Sequence, residues 1–383
     1  MVLGLAAVVL PLVAITAVAL VVLWPSGDVE RPEGYERPER VTGTVEALQP
    51  CSPELADVVG QGASGTCTST RVRLDANAEH TGASAGDVVE APLPMGTGAP
   101  RVEAGDDVVL FHSPGGLEAV QWSIADFDRS TPMYLLIALF AVAVVALSRW
   151  RGVASLLSLT ASLALVIWFV LPNLLEGRSP LLVAIVAASG VMVVTLYLGH
   201  GIRAVTSVAF IGTLLSLVLA GVLGAYFSAA AQFTGFSNES VTFLSALRED
   251  LDYEGLILAG LIIGALGVLD DVTVTQAAAV WELRAADPTA SRRRVFRAAM
   301  RIGRSHVTAA VNTLCLAYAS SMLPLLLLLS LTSSDFGSAL LSDGIGQEVL
   351  RGLVGSLGIV AAVPITTAIA VLIAGRPGLD SER

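Results

Sequence analysis

The chain has 383 residues, of which 54% are hydrophobic and only 14% charged. Soluble domains run near a quarter charged, so a chain with long uncharged runs like these reads as a polytopic membrane protein. The formal net charge is −11, and residues 28–128 alone hold 18 Asp and Glu against 6 Arg. An acidic, solvated segment of that kind excludes nucleic acid as the expected partner, because nucleic acid asks for basic surfaces.

The first apolar run, residues 2–24, is long enough to span. It lacks a basic start and an A-x-A-like cleavage site, so residues 1–27 read as an uncleaved anchor rather than a signal peptide. The polar segment 28–130 follows. Short alternating runs at 41–48, 70–74, 87–91, 107–112 and 120–124, punctuated by Gly, Pro and Asn, predict five strands. Five strands in that length suit a small OB-like or sandwich barrel. Cys51 and Cys67 are a candidate disulfide if this segment faces an oxidising compartment; two free thiols are the alternative. His80 and His112 stand alone, so neither a metal site nor a cofactor is expected. Cys315, in an apolar run, reads as a small buried packer.

Seven further apolar runs lie at about 132–148, 153–172, 180–198, 204–227, 255–281, 306–332 and 352–374. The expected fold is therefore an α-helical polytopic membrane protein of about eight spans. A small β domain sits between the first span and a seven-span bundle over 131–376. Arg149 and Arg151, Arg203, the cluster Arg284 to Arg304, and Arg376 fall in alternate connections, which the positive-inside rule makes cytoplasmic. Both termini, including the tail 377–383, are then inside, and 28–130 is extracytoplasmic in a bacterial plasma membrane. Residues 237–254 carry Val241, Leu244, Leu247 and Leu251 at helical spacing, an amphipathic interfacial helix.

The sixth span holds two adjacent aspartates, Asp270 and Asp271. Together they add about 5–7 kcal/mol to insertion if both ionise without a partner, so a site for an ion, proton or polar solute is the default reading. At 100° per residue Gly260, Gly264, Gly267, Asp271, Thr275, Ala278 and Glu282 share one stripe. That small-residue face invites a neighbouring helix, so Asp271 is expected to point toward another helix near the midplane. Asp270 diverges by about 100°. The candidate transport site comprises Asp271, Asp270, Thr275, Gln276, Asn312 and Thr313, with Asn312 of the seventh span as the expected partner of Asp271. An Asp merely bonded to a neighbouring Asn, Thr or Tyr is the structural alternative. Glu348 and Arg351 open the eighth span as a candidate ion pair.

The eighth span contains a near-copy of this motif. GALGVLDDVTVTQA at 264–277 aligns without gaps on GSLGIVAAVPITTA at 355–368. Gly355 and Gly358 repeat the packing glycines, Ala361 and Ala362 replace the aspartates, and Pro364 stands opposite Thr273. Both helices run the same way in the expected topology, a parallel repeat of the kind whose interface holds sites in transporters.

The segments WSIADFDR at 122–129, Pro180 with TLYLGHG at 195–201, GALGVLDDVTVTQ at 264–276, NTLCLAYASSMLPLLLL at 312–328 and VGSLGIVAAVPITT at 354–367 carry a resemblance. In order and spacing the chain resembles the YibE/F-like multispanning membrane proteins in their actinobacterial form. That resemblance implies a single-span N-terminus, an extracytoplasmic β domain, a seven-span bundle and an Asp at position 271. Relatives carry Gly-Arg-Asp before the seventh span, where this chain has Gly303-Arg304-Ser305. Two functions stand side by side. One is a permease for a small ion or polar solute, in which no Walker motif points to ATP. The other is a non-transporting receptor or envelope assembly factor. Expected partners are the lipid bilayer, the solute, and a second copy or an envelope protein. An aspartyl hydrolase is disfavoured, because carboxyls that diverge on one helix cannot share a water.

Overall fold

The computed structural model describes residues 2–27, 39–53, 55, 68–78, 82–93, 101–113, 121–235, 239–248, 251–332 and 336–374. His80, Cys67 and the tail 377–383 lie outside them. The chain divides into two units, residues 31–143 and the remainder.

The first unit is built on strands β1 (Glu39–Pro50), β2 (Thr68–Leu74), β3 (Val88–Pro92), β4 (Asp107–His112) and β5 (Trp122–Phe127). They form one antiparallel sheet in the order β3-β2-β1-β4-β5, curled into a half-barrel. Alternation explains the curl: Val41, Gly43 and Val45 of β1 turn inward. They join Val72, Leu74, Val108, Leu110 and Ile124 in one core. A Cβ on Gly43 would meet the Arg73 carbonyl oxygen at 2.6 Å, so glycine is what lets β1 lie so close to β2. His112 is buried with its ring 4.8 Å from that of Trp122, a packing role. Cys51 is disulfide-bonded and Cys315 is a free, exposed thiol rather than a buried one.

Glu90 ties β3 to β2. Burial by itself would raise its carboxyl, but Ser69 Oγ donates at 2.5 Å and the Ser52 N–H at 3.1 Å, holding it below its ordinary value. A depressed carboxyl contributes stability above the ordinary carboxylate range, and that contribution is lost as pH falls through the folded value. Ser69→Ala removes the shorter bond and raises the folded value. Amide exchange of β2 and β3 in the full-length chain should then accelerate at a higher pH than in the wild type. An unchanged pH profile would contradict this.

The second unit is helical. It holds α1 (Val2–Val22), the end of α2 (Ser130–Ser148), α3 (Trp150–Leu165), α4 (Leu171–Leu175), α5 (Pro180–His200) and α6 (Ala204–Ala230). The short α7 (Glu239–Leu247) precedes α8 (Tyr253–Ala286), α9 (Arg292–Ser321), α10 (Leu323–Thr332), α11 (Phe336–Leu340) and α12 (Asp343–Ile373). Among the described residues seven helices are long and apolar enough to cross a membrane, or eight if the bent pair α9–α10 counts as one. The run 306–332 is therefore not a straight span. The chain bends by 61° between α9 and α10, where Pro324 offers no N–H and crowds the residue before it. A π turn over Val166–Val170 joins α3 to α4, with the Leu171 N–H bonded to the Val166 carbonyl just before Pro172.

Helix α8 is the hub, packed by α5, α6, α9 and α12. Asp252 caps its start by accepting from the Gly255 N–H at 2.8 Å. Helices α8 and α12 lie parallel and in register. Gln276 Nε2 donates to Thr367 Oγ1 at 2.6 Å across 91 positions, the offset of the sequence repeat. Gly260 faces the Arg351 guanidinium at that same offset, and Leu269 packs on Gly358. Helix α6 runs antiparallel between the two copies. Its Thr213 hydroxyl bonds that of Thr273 at 2.6 Å, and its Gly212 and Gly224 face Thr366 and Leu261. The last helix passes through Pro364 without a break.

Candidate functional site

Helix α9 sets the register against α8. Gln276 Nε2 donates to the Ala299 carbonyl at 3.1 Å, and Gly303 lies directly against the Gln276 amide. Continuing antiparallel, His306 Nε2 sits 3.9 Å from Asp271 Oδ2. Higher still, Tyr318 Oη lies where a Cβ on Gly264 would be only 3.3 Å away. The expected partner Asn312 is thus a correction: it is exposed, more than a helical turn beyond the level of Asp271, and makes no hydrogen bond to it. The reason is that α9 begins at Arg292, so its Arg-rich first half runs beside the lower end of α8. His306, two residues beyond exposed Arg304, comes level with Asp271.

Asp271 is also less enclosed than a small-residue stripe suggested. Its side chain is 73% exposed and that of His306 39%. The stripe is an open groove more than a close helix contact. Gly267 has nothing within 4 Å of a Cβ position, and Gly260 and Gly264 are covered by the tips of Arg351 and Tyr318 rather than by backbone. Arg351 pairs with Glu348 one turn before it on α12. Gly355 meets Leu314, and Gly358 meets Ala220 and Leu269, so the glycines of α12 do pack.

The two aspartates face different neighbours. Asp270 turns toward Thr195 and His200 of α5, its Oδ1 buried without a hydrogen-bond partner, while the Thr195 hydroxyl donates to the Met192 carbonyl at 3.4 Å. Thr195 and His200 were not among the expected site residues. Their signal was the sequence TLYLGHG at the end of a span, two polar groups a turn and a half apart. The remaining candidates are occupied elsewhere. Thr275 donates back to the carbonyls of Asp271 and Val272, at 2.8 and 3.1 Å. Thr313 donates to the Ala309 carbonyl at 3.0 Å. Gln276 is buried and bonded to Ala299 and Thr367. Among the described residues no three His, Cys, Asp or Glu side chains gather as a metal site.

These features define a helical protein, compatible with a multi-pass membrane protein, whose central helix carries a split acid pair. A family model, YibE/F-like protein, matches residues 136–376, more than half of the chain. The chain belongs to the YibE/F-like family. Comparison with curated proteins and with solved structures gave no match.

Proposed function

We propose that this chain is a membrane permease for a small ion or polar solute, with Asp271 at the cytoplasmic mouth of its path. The observation that carries the proposal is the exposed Asp271 carboxylate facing His306 in the middle of a long, largely apolar helix. A carboxylate in contact with hydrocarbon costs about 2.5–3.5 kcal/mol, so such groups face water-filled paths or partners. The groove above it offers a route: Gly267, Gly264 and Gly260 form its floor, with Tyr318, Arg351 and Glu348 along it. Eight spans with both termini cytoplasmic, the α9–α10 pair counting as one, fit the Arg placement. The site then lies at the inner end of the hydrophobic zone, close to Arg304, rather than at the midplane.

The test is flux. Full-length protein in proteoliposomes, screened against small cations, anions and polar solutes, should move at least one solute faster than protein-free vesicles. Asp271→Asn should reduce that flux at least tenfold while the protein still folds. Full flux in the folded variant would refute the role of Asp271.

A receptor reading draws on the β unit. Its strand order, with β3 and β5 approaching across the open side, is that of an OB-type barrel. The acidic charge of residues 28–128 turns such a surface away from nucleic acid and toward an envelope component. Ligand-dependent protection of the sheet in the full-length chain, with no flux for any solute, would favour it.

A further inference from the structure

Resting on the permease reading, we propose that the species taken up at Asp271 is a proton, held between its carboxylate and the His306 imidazole, rather than a metal ion or a polar solute. The argument is the emptiness of the shell around that pair. The expected site residues do not converge on Asp271. Thr275 and Thr313 donate their hydroxyl protons within their own helices, Gln276 is locked between α9 and α12, and Asn312 is exposed more than a turn further along α9. What remains is one carboxylate and one imidazole whose Nε2 is buried without a hydrogen bond, 3.9 Å apart.

A calcium ion takes about 6–8 oxygen ligands and a zinc ion about four ligands. A polar solute needs several convergent donors and acceptors to replace its water. A proton needs one basic atom and gains from a carboxylate beside it. Uptake turns carboxylate plus neutral imidazole into carboxylate plus imidazolium. One N–H bond forms on Nε2 as one O–H bond of a hydronium ion breaks and releases water, and the pair goes from a charge of −1 to neutral.

The charged groups around the pair fit this. On α8 the neighbour is Asp270, which turns away toward Thr195 and His200 of α5. On α9 exposed Arg304 lies half a turn below His306. At this level α6 offers only Thr213, and α12 only Ala361 and Ala362, none of which titrates. The 3.9 Å gap is wider than a hydrogen bond, so the proton is not locked in place. Among the described residues no other side chain of the bundle closes over Asp271, whose side chain is 73% exposed.

The chain has four His, which makes histidine-selective nitrogen-15 NMR practical on the full-length protein in nanodiscs. His306→Gln and His200→Gln identify the two bundle resonances. Asp271→Asn should move the His306 imidazole resonance at fixed pH, because the carboxyl 3.9 Å from its Nε2 is changed, with His200 unmoved. Asp270→Asn should do the reverse. Millimolar Mn²⁺ should leave the His306 signal sharp. Asp271→Ser, also at an exposed position, gives the same reading if Asp271→Asn folds poorly. An unmoved His306 resonance in both variants, or selective broadening by Mn²⁺, would overturn the proposal. A failed flux screen would instead refute the permease reading and leave the resonance result standing.

Discussion

Ala362→Asp should destabilise the bundle by at least about 3 kcal/mol, the scale for a buried charge without a partner. Asp271→Ala, at the equivalent position of the repeat, should change stability by no more than about 0.5 kcal/mol, as surface substitutions do. The two positions are homologous in sequence and level in space, yet their surroundings are opposite. Ala362 is fully buried in the core with Ile359 and Val363. Asp271 lies open beside His306. Helices α8 and α12 run side by side, so the same stripe meets the interior on one and a groove on the other. That asymmetry is why only one copy tolerates a charge. Thermal unfolding and monodispersity in detergent micelles measure both variants. A stable Ala362→Asp protein would contradict the burial described.

Gly303→Leu should be comparably damaging, by about 3 kcal/mol. A Cβ there would stand 2.4 Å from Val363 Cγ1 and 2.7 Å from Gln276 Oε1, distances that real contacts do not show. Overpacking alone costs about 1–3 kcal/mol. Pushing Gln276 aside also breaks its bonds to Ala299 and Thr367, each worth about 0.6–2 kcal/mol between membrane helices. Because Gly303 fixes the height of α9 against α8, the substitution should also separate His306 from Asp271. Gly267→Ala is the control: nothing lies within 4 Å of that Cβ, so stability should hold or rise slightly. Equal loss in both variants would contradict this register.

Much of this architecture was legible from periodicity. The five strands, their short alternating runs and most spans follow from the spacing of apolar residues. The repeat followed from identity at a fixed offset, which the Gln276–Thr367 bond realises in space. Depth and facing were not legible. Hydropathy places His306 at the start of a span and Asn312 within it, but says nothing of where α9 begins relative to α8. That is decided by Gly303 against Gln276, a contact between residues 27 apart that carries no local pattern. The Gly stripe predicted a close helix contact because small residues allow one. Allowing is not requiring, and here Arg351 and Tyr318 reach over the glycines instead. The break at Met322 had a visible cause in Pro324, yet the leucine run that follows it, 325–329, masked it.

Water access to position 271 tests the site most directly. Asp271→Cys in a Cys315→Ser background can be probed with a membrane-impermeant thiol reagent on inside-out and right-side-out vesicles. Rapid labelling from the cytoplasmic face, and slow labelling from the outer face, is the expected result. A position that reacts from neither side would contradict a hydrated mouth at Asp271.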